Sequence, residues 1–448
     1  MKIGRSGRLE NTGYLLTEMG QSPISRCPTR LMALSLLVAL GLGVGIGCGS
    51  ESAPAVPVVA VDLSQVGVDI YETTLRPPSG KFFAAVDRHP IQTTEGLAYK
   101  LVSYTRTFDV DRLYGSMEGP SHNFMVPMRN FFIWGKEEEL LWVKGVYAEI
   151  VDELGETVSQ EFMCHMTAAV PRTQGAPPAR FATLSQGLYH TEYPPGFGFP
   201  MLSNEKLAFS SQVLNRNHPD RIRVRHRIVT IFIRDQDLRS PLTGLRSTYA
   251  QTLVQLGGEE GDGYYGVPKP DVEEHGLSCS PGDTADTQGR HVTDSFGREF
   301  TSWWMVKPGR VTNDSNATHQ LKIDADTTIH SIDVHLHPFA ESVELLDLTT
   351  GESLFHSRAT AAEWGIGLSH VETFHSKDGI PIYKDHQYSI RSVYDNTTDE
   401  EQDAMAVMYI GLRDPDFDSE PLATSAETLR RRRDNAARAI ANQVEKVF

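Results

Sequence analysis

Two histidines separated by a single residue stand in the segment "SIDVHLHPF", Ser331 to Phe339. The alternation around them is clean: Ile332, Val334 and Leu336 share one parity, and Asp333, His335 and His337 share the other. Successive side chains of a strand point to opposite faces, so His335 and His337 would project side by side, near enough to share one ion. The same spacing also describes two polar residues on the wet face of a half-buried strand. A later stretch, "DAMAVMYIGL", puts Met405, Val407 and Tyr409 on one face and Ala406, Met408 and Ile410 on the other. A thioether beside two imidazoles is a donor set that reduced copper favours. Methionine is equally a filler of hydrophobic cores, so the residue types alone leave both readings open.

The elements that must carry these side chains are short and β-like. From about residue 81 to 235 the chain alternates apolar and polar residues between Gly, Pro, Asn and Asp turns, as in "LAYKLVSYTRTFDV" and "RIRVRHRIVTIFIRD". Regular short strands with turn signals suggest an antiparallel sandwich or barrel. The pattern dissolves between residues 242 and 298, around "GGEEGDGYYGVPKPD", and resumes from "FTSWWMVKPGRVTND" to "AMAVMYIGLRDP". The tail "TSAETLRRRRDNAARAIANQVEKVF" has helical spacing at Leu429, Ala436, Ile440 and Val444, a cap at Thr424 or Ser425, and Glu427 near its start. The expectation is an all-β chain of two tandem antiparallel β-sandwich, jelly-roll-like domains with an N-terminal signal segment and a C-terminal helix. Its parts would be a signal segment at 1–47, a tether at 48–80 and a first sandwich at 81–240. A connection at 241–298, a second sandwich at 299–415 and a helical tail at 416–448 would follow.

Composition narrows the function. The 448 residues are 40% hydrophobic and 22% charged, ordinary for a globular protein. The formal net charge of -16 argues against a nucleic-acid partner, which a basic surface would announce. No phosphate-binding Gly loop and no nucleophile elbow is present. Near the start, Arg26 and Arg30 precede an apolar run from Leu31 to Ile46, then Gly47 and Cys48. That order describes an export signal. It resembles a bacterial lipoprotein signal, which implies lipidation of Cys48, a membrane lipid anchor and a place in the cell envelope, facing the periplasm or the exterior. A single membrane-spanning anchor is the competing reading, and Met19 or Met32 could be the start. The Ser-, Ala- and Pro-containing stretch behind Cys48 suits a tether. Cys164 and Cys279 remain in the mature chain, and the sequence does not say whether they meet.

From Trp303 to Arg413, "MVKPGR", "VHLH", "HSKDGIPIYKDHQYSIRSVYDN" and "DAMAVMYIGL" together resemble the second catalytic domain of the copper type II, ascorbate-dependent monooxygenases. That is the family of peptidylglycine α-hydroxylating monooxygenase and dopamine β-hydroxylase. The resemblance implies a mononuclear copper held by His335, His337 and Met405, with Met408 a neighbour on the opposite face, and an external reductant such as ascorbate. It also implies hydroxylation of a C–H bond in a small-molecule or peptide substrate. The first half resembles the family's other catalytic domain through "SQEFMCHMTAAV", "YPPGFGFPM" and "LAFSSQVLNRN". There the pattern fails: Cys164 and Leu214 stand where two of three histidines belong, with His165 alone retained. Cys164 and His165 are thus the remnant of a degenerate site, which His190 or His218 could repair only if their loops turned inward. His370, His375 and His386 fall in loop-like segments and are expected in solvent, with a place near the site as the alternative for His375. Three readings follow: an exported copper protein with one site that supports oxygen-dependent oxidation, a non-enzymatic copper- or ligand-binding lipoprotein on the same scaffold, or a structural surface β-sandwich module without metal.

Overall fold

Period-two alternation is what builds this molecule, and nearly every element is a strand. The computed structural model describes residues 70–87, 89–116, 118–128, 139–171, 179–257, 284–285, 291–294, 296–415 and 417. All of them lie in one compact unit, Val58–Phe448. The expected signal segment with Cys48, most of the expected tether, Cys279 and nearly all of the expected helical tail lie outside the described residues.

The first sandwich uses β1 (Phe83–Val86), β2 (Gly96–Tyr104), β3 (Ser121–Pro127), β4 (Leu140–Val151), β5 (Met163–Val170) and β6 (Ala179–Ser185). It continues with β7 (Phe197–Leu202), β8 (Lys206–Val213) and β9 (Ile222–Leu238). The second uses β10 (Thr243–Gln251), β11 (Gly309–Asn316), β12 (Thr327–Leu336), β13 (Ala340–Asp347) and β14 (Glu352–Ala361). Its last strands are β15 (Leu368–Val371), β16 (Phe374–Ile382), β17 (Tyr388–Asn396) and β18 (Ala406–Arg413). Among the described residues the one α-helix is α1 (Thr318–Leu321), and no helix is long and apolar enough to cross a membrane.

One 12-stranded sheet runs through both halves in the order β1-β2-β9-β4-β7-β10-β18-β12-β16 along its main path. A four-stranded sheet, β3-β8-β5-β6, closes the first sandwich, and a five-stranded sheet, β11-β17-β13-β14-β15, closes the second. The first core lies between Leu141, Val143, Ile228 and Phe232 of the large sheet and Met166, Phe181, Leu184 and Phe209 of the small one. The second lies between Ile332, Val334, Met408 and Ile410 on one side and Val343, Leu345 and Ile390 on the other. Tyr71 and its neighbours cover the outer face of β2, β4 and β9, which explains why β4 is buried on both faces.

The halves are joined by a parallel pairing of β7 with β10, Phe197 opposite Thr243 and Gly198 opposite Gly244. Side chains crowd both glycines, Gly244 the more tightly. A Cβ on Gly244 would stand 2.6 Å from Phe417 Cδ1, and one on Gly198 3.2 Å from Trp142 Cε3. The segment expected to open a connection at 241 therefore opens instead with a strand of the second sandwich, β10, which pairs with β18 along its length.

Candidate metal centre

β12 and β18 pair antiparallel with His335 opposite Val407 and Asp333 opposite Tyr409. Opposed residues share a face. Ile332, Val334 and Leu336 therefore meet Ala406, Met408 and Ile410 in the second core. Asp333, His335 and His337 occupy the other face with Val407 and Tyr409. That face is not wet. β6 of the first sandwich packs against β10, β12 and β18, and His335 and His337 are only 4% and 2% exposed.

The opposing wall of this seam is polar as well. On β5 and its neighbours, His165 lies opposite Ser185 of β6 and Gln212 of β8, and Thr167 opposite Thr183. His165 reaches across: its ring centroid is 6.0 Å from that of His335, with the planes at 81°. The His335 and His337 rings are 5.2 Å apart at 90°. Three imidazoles, two from one sandwich and one from the other, thus line one stretch of seam.

Burial dominates their protonation. It pushes His165 down to about 4, helped by the Arg180 cation, and His335 down to about 3, helped by His165 and Arg180. His337 falls well below the usual histidine value, by burial first and then by His335, Arg216 and His165. Neutral imidazole is the form that ligates metals. His335 Nδ1 and both ring nitrogens of His337 have no hydrogen-bond partner, although such groups are costly to bury unpaired. His337 Nδ1 stands 3.5 Å from Asp403 Oδ2, at the outer limit for a hydrogen bond, and Asp403 is ion-paired with Arg216 of the first sandwich.

The spacing suits a metal better than the orientation does. A metal–imidazole bond of about 2 Å places a ring centroid about 3.2 Å from the ion, so two rings on a tetrahedral ion stand roughly 5 Å apart. The His335–His337 separation meets that value, and the His165–His335 separation is somewhat wider. Among the described residues, no three His, Cys, Asp or Glu side chains already converge as a metal-holding group. The rings must turn before they could ligate together.

Met405 stands beside His337 through its main chain. The His337 N–H points at the Met405 carbonyl at 3.3 Å, and the Tyr394 hydroxyl donates to that carbonyl at 2.6 Å. Met405 is half-buried, whereas Met408 is wholly within the second core. In the first sandwich, Cys164 is buried with its Sγ 3.4 Å from His165 Nδ1, and Leu214 is 3% exposed, as packed interior. His190 and His218 do not turn inward: His190 is exposed on a short strand against β4, and His218 Nδ1 pairs with the Asp220 carbonyl. His370 and His375 lie on strands rather than loops; His370 is exposed, but His375 Nε2 is 3.4 Å from the buried carboxylate of Asp333. His386, in a turn, holds Asp347 at 2.6 Å.

The sequence reading missed the charged residues of the seam. Arg180 donates to the Tyr409 hydroxyl at 2.9 Å, and Arg216 pairs with Asp403. Asp333 had a signal, its shared parity with the two histidines; Arg180, Arg216 and Asp403 had none.

No protein-family model matches this chain, and a search of curated proteins finds no match. Solved structures resemble it weakly. The glycosylasparaginase PNGase F of Flavobacterium meningosepticum is 10% identical, covering 69% of this chain and 96% of its own, with a TM-score of 0.24. An oxalate decarboxylase is 9% identical, over 75% and 78% of the two chains, with a TM-score of 0.12. Pumpkin seed globulin is 8% identical over 73% and 85%, also at 0.12. Overlaps this slight lend no support to a functional reading.

Proposed function

We propose that the protein is an exported copper-binding protein that holds Cu(I) in the seam through His335 and His337, with Met405 as thioether donor. The observation that carries the reading is the pair of adjacent, buried imidazoles, 5.2 Å apart, three of whose four nitrogens lack a hydrogen-bond partner. Polar groups left so are expensive, and a bound ion would offset that cost. Copper at this place would supply one-electron redox chemistry. The chain's own part is to keep both rings neutral, exclude water, and fix the His337 backbone through Tyr394 and the Met405 carbonyl.

Binding without turnover is the better form of the proposal. A catalytic metal needs an open position and room for substrate. Here both histidines are closed off, and the small cavity alongside, lined by Arg180, Tyr193, Ser331, Asp333 and Tyr409, measures about 10 Å³, the room of one water molecule. Lipidation at Cys48 would anchor such a protein in the cell envelope.

Copper analysis and an anaerobic Cu(I) competition titration test this on the purified mature protein. The parent should bind one copper per chain, and His335→Ala/His337→Ala should bind none. Met405→Leu should weaken Cu(I) more than Cu(II). Equal copper in the parent and the double histidine variant would sink the reading, and ascorbate-driven oxygen consumption above a protein-free control would restore turnover.

A further inference from the structure

We infer that His165 is a third ligand and that the copper is shared between the two sandwiches, a single joint site in place of two separate ones. The inference rests on the copper-binding reading above and adds a residue, a geometry and a consequence to it.

The first ground is position. His165 sits mid-seam on β5, pinned on both sides by β8 and β6, so its backbone cannot shift without disturbing two strand pairings. Its ring approaches His335 edge-on at 6.0 Å. It is the residue of the opposing wall whose ring stands against His335, while His190 is exposed beside β4 and His218 Nδ1 pairs with the Asp220 carbonyl.

The second ground is chemistry. His335 and His337 are two donors, and Met405 adds a neutral thioether; a third imidazole suits Cu(I) as well as Cu(II). The His165 ring stands against His335 and the His335 ring against His337, so the three donors follow one another along the seam. Buried counter-charge is close: the Asp403 carboxylate lies beside His337, with Arg216 of the first sandwich on its far side.

The consequence is mechanical coupling. An ion ligated from β5 and β12 ties the first small sheet to the second half of the large one. Copper loading should then protect the backbone amides of β5 and β6 as well as those of β12.

The experiment has three parts. X-ray absorption of the Cu(I)-loaded parent should count three imidazole donors; two would overturn the inference and leave the copper reading standing. His165→Ala should lower Cu(I) affinity about tenfold or more, at least as much as the loss of a group that only orients a ligand, with His165→Asn as the second variant should the alanine fail to fold. Hydrogen exchange with and without copper should show protection of residues 163–170 and 179–185 in the parent and not in the His165 variant. Undiminished affinity and unchanged protection in that variant overturn the inference. Absence of copper from the parent overturns both it and the reading beneath it.

Discussion

The two faces of β12 are one strand with opposite physics. Ile332, Val334 and Leu336 meet other apolar side chains and are at most 2% exposed. Asp333, His335 and His337 are as deeply buried, yet they meet polar groups and leave nitrogens and an oxygen without partners. Burial alone therefore does not distinguish a core from a site. The core face is stabilised by what it excludes, since apolar burial needs no partner. The seam face is destabilised by the same exclusion unless something enters to satisfy it. A strand that keeps such a face next to an ordinary one gives up stability on that side.

The contrast can be broken most forcefully at the ion pair that closes the seam. Arg216→Ala leaves the Asp403 carboxylate buried and uncompensated, an expected cost of about 3–5 kcal/mol; replacing both residues with Met and Leu should recover most of it. Urea unfolding of the parent and the two variants measures this, and an equal loss in the single and double replacements would refute it. On the core face, Leu336→Ala should cost about 3 kcal/mol by lost burial and a residual cavity. That loss should be the same with and without copper, which separates core from seam.

A smaller effect should appear with pH. His226 lies fully buried in the first core, its Nε2 3.2 Å from Met163 Sδ, and burial with the nearby His165 holds it down at about 3. Because its folded value is lowered from 6.5, the unfolded chain binds the proton first. Stability is complete above about 6.5 and declines as pH falls toward 3, at about 1.4 kcal/mol per pH unit for one such proton. His226→Gln should flatten that slope in acid denaturation curves. The smallest effect carries the opposite sign. In metal-free protein, His335→Leu should raise stability by about 1 kcal/mol, because an apolar side chain removes an unsatisfied nitrogen; a decrease would show that the ring is already well accommodated.

Much of this was legible in the sequence. The period-two pattern gave an all-β sandwich fold, and the parity of Asp333, His335 and His337 put them on one face. What parity does not say is what lies opposite. A polar face against water and a polar face against another polar face have the same pattern, so the wet-strand reading of His335 and His337 fitted the sequence as well as the metal did. β10 escaped because "TGLRSTYAQ" lacks apolar alternation; its pairing with β7 and β18 supplies what its own pattern does not. β16 read as loop because Gly379 and Pro381 interrupt it, which an edge strand tolerates. The approach of His165 to His335, which are 170 positions apart, is a tertiary fact with no local trace.

The continuous sheet has a consequence for movement. Two domains on a flexible linker can swing apart freely, but here the halves share a backbone ladder, and at β7 and β10 that ladder is only two residue pairs long. Opening the seam must therefore bend or shear the sheet at a point where Gly198 and Gly244 face each other, with Trp142 packed against the first and Phe417 against the second. An ion seated between the sandwiches would therefore be released by distortion of this short ladder rather than by the swing of a free linker.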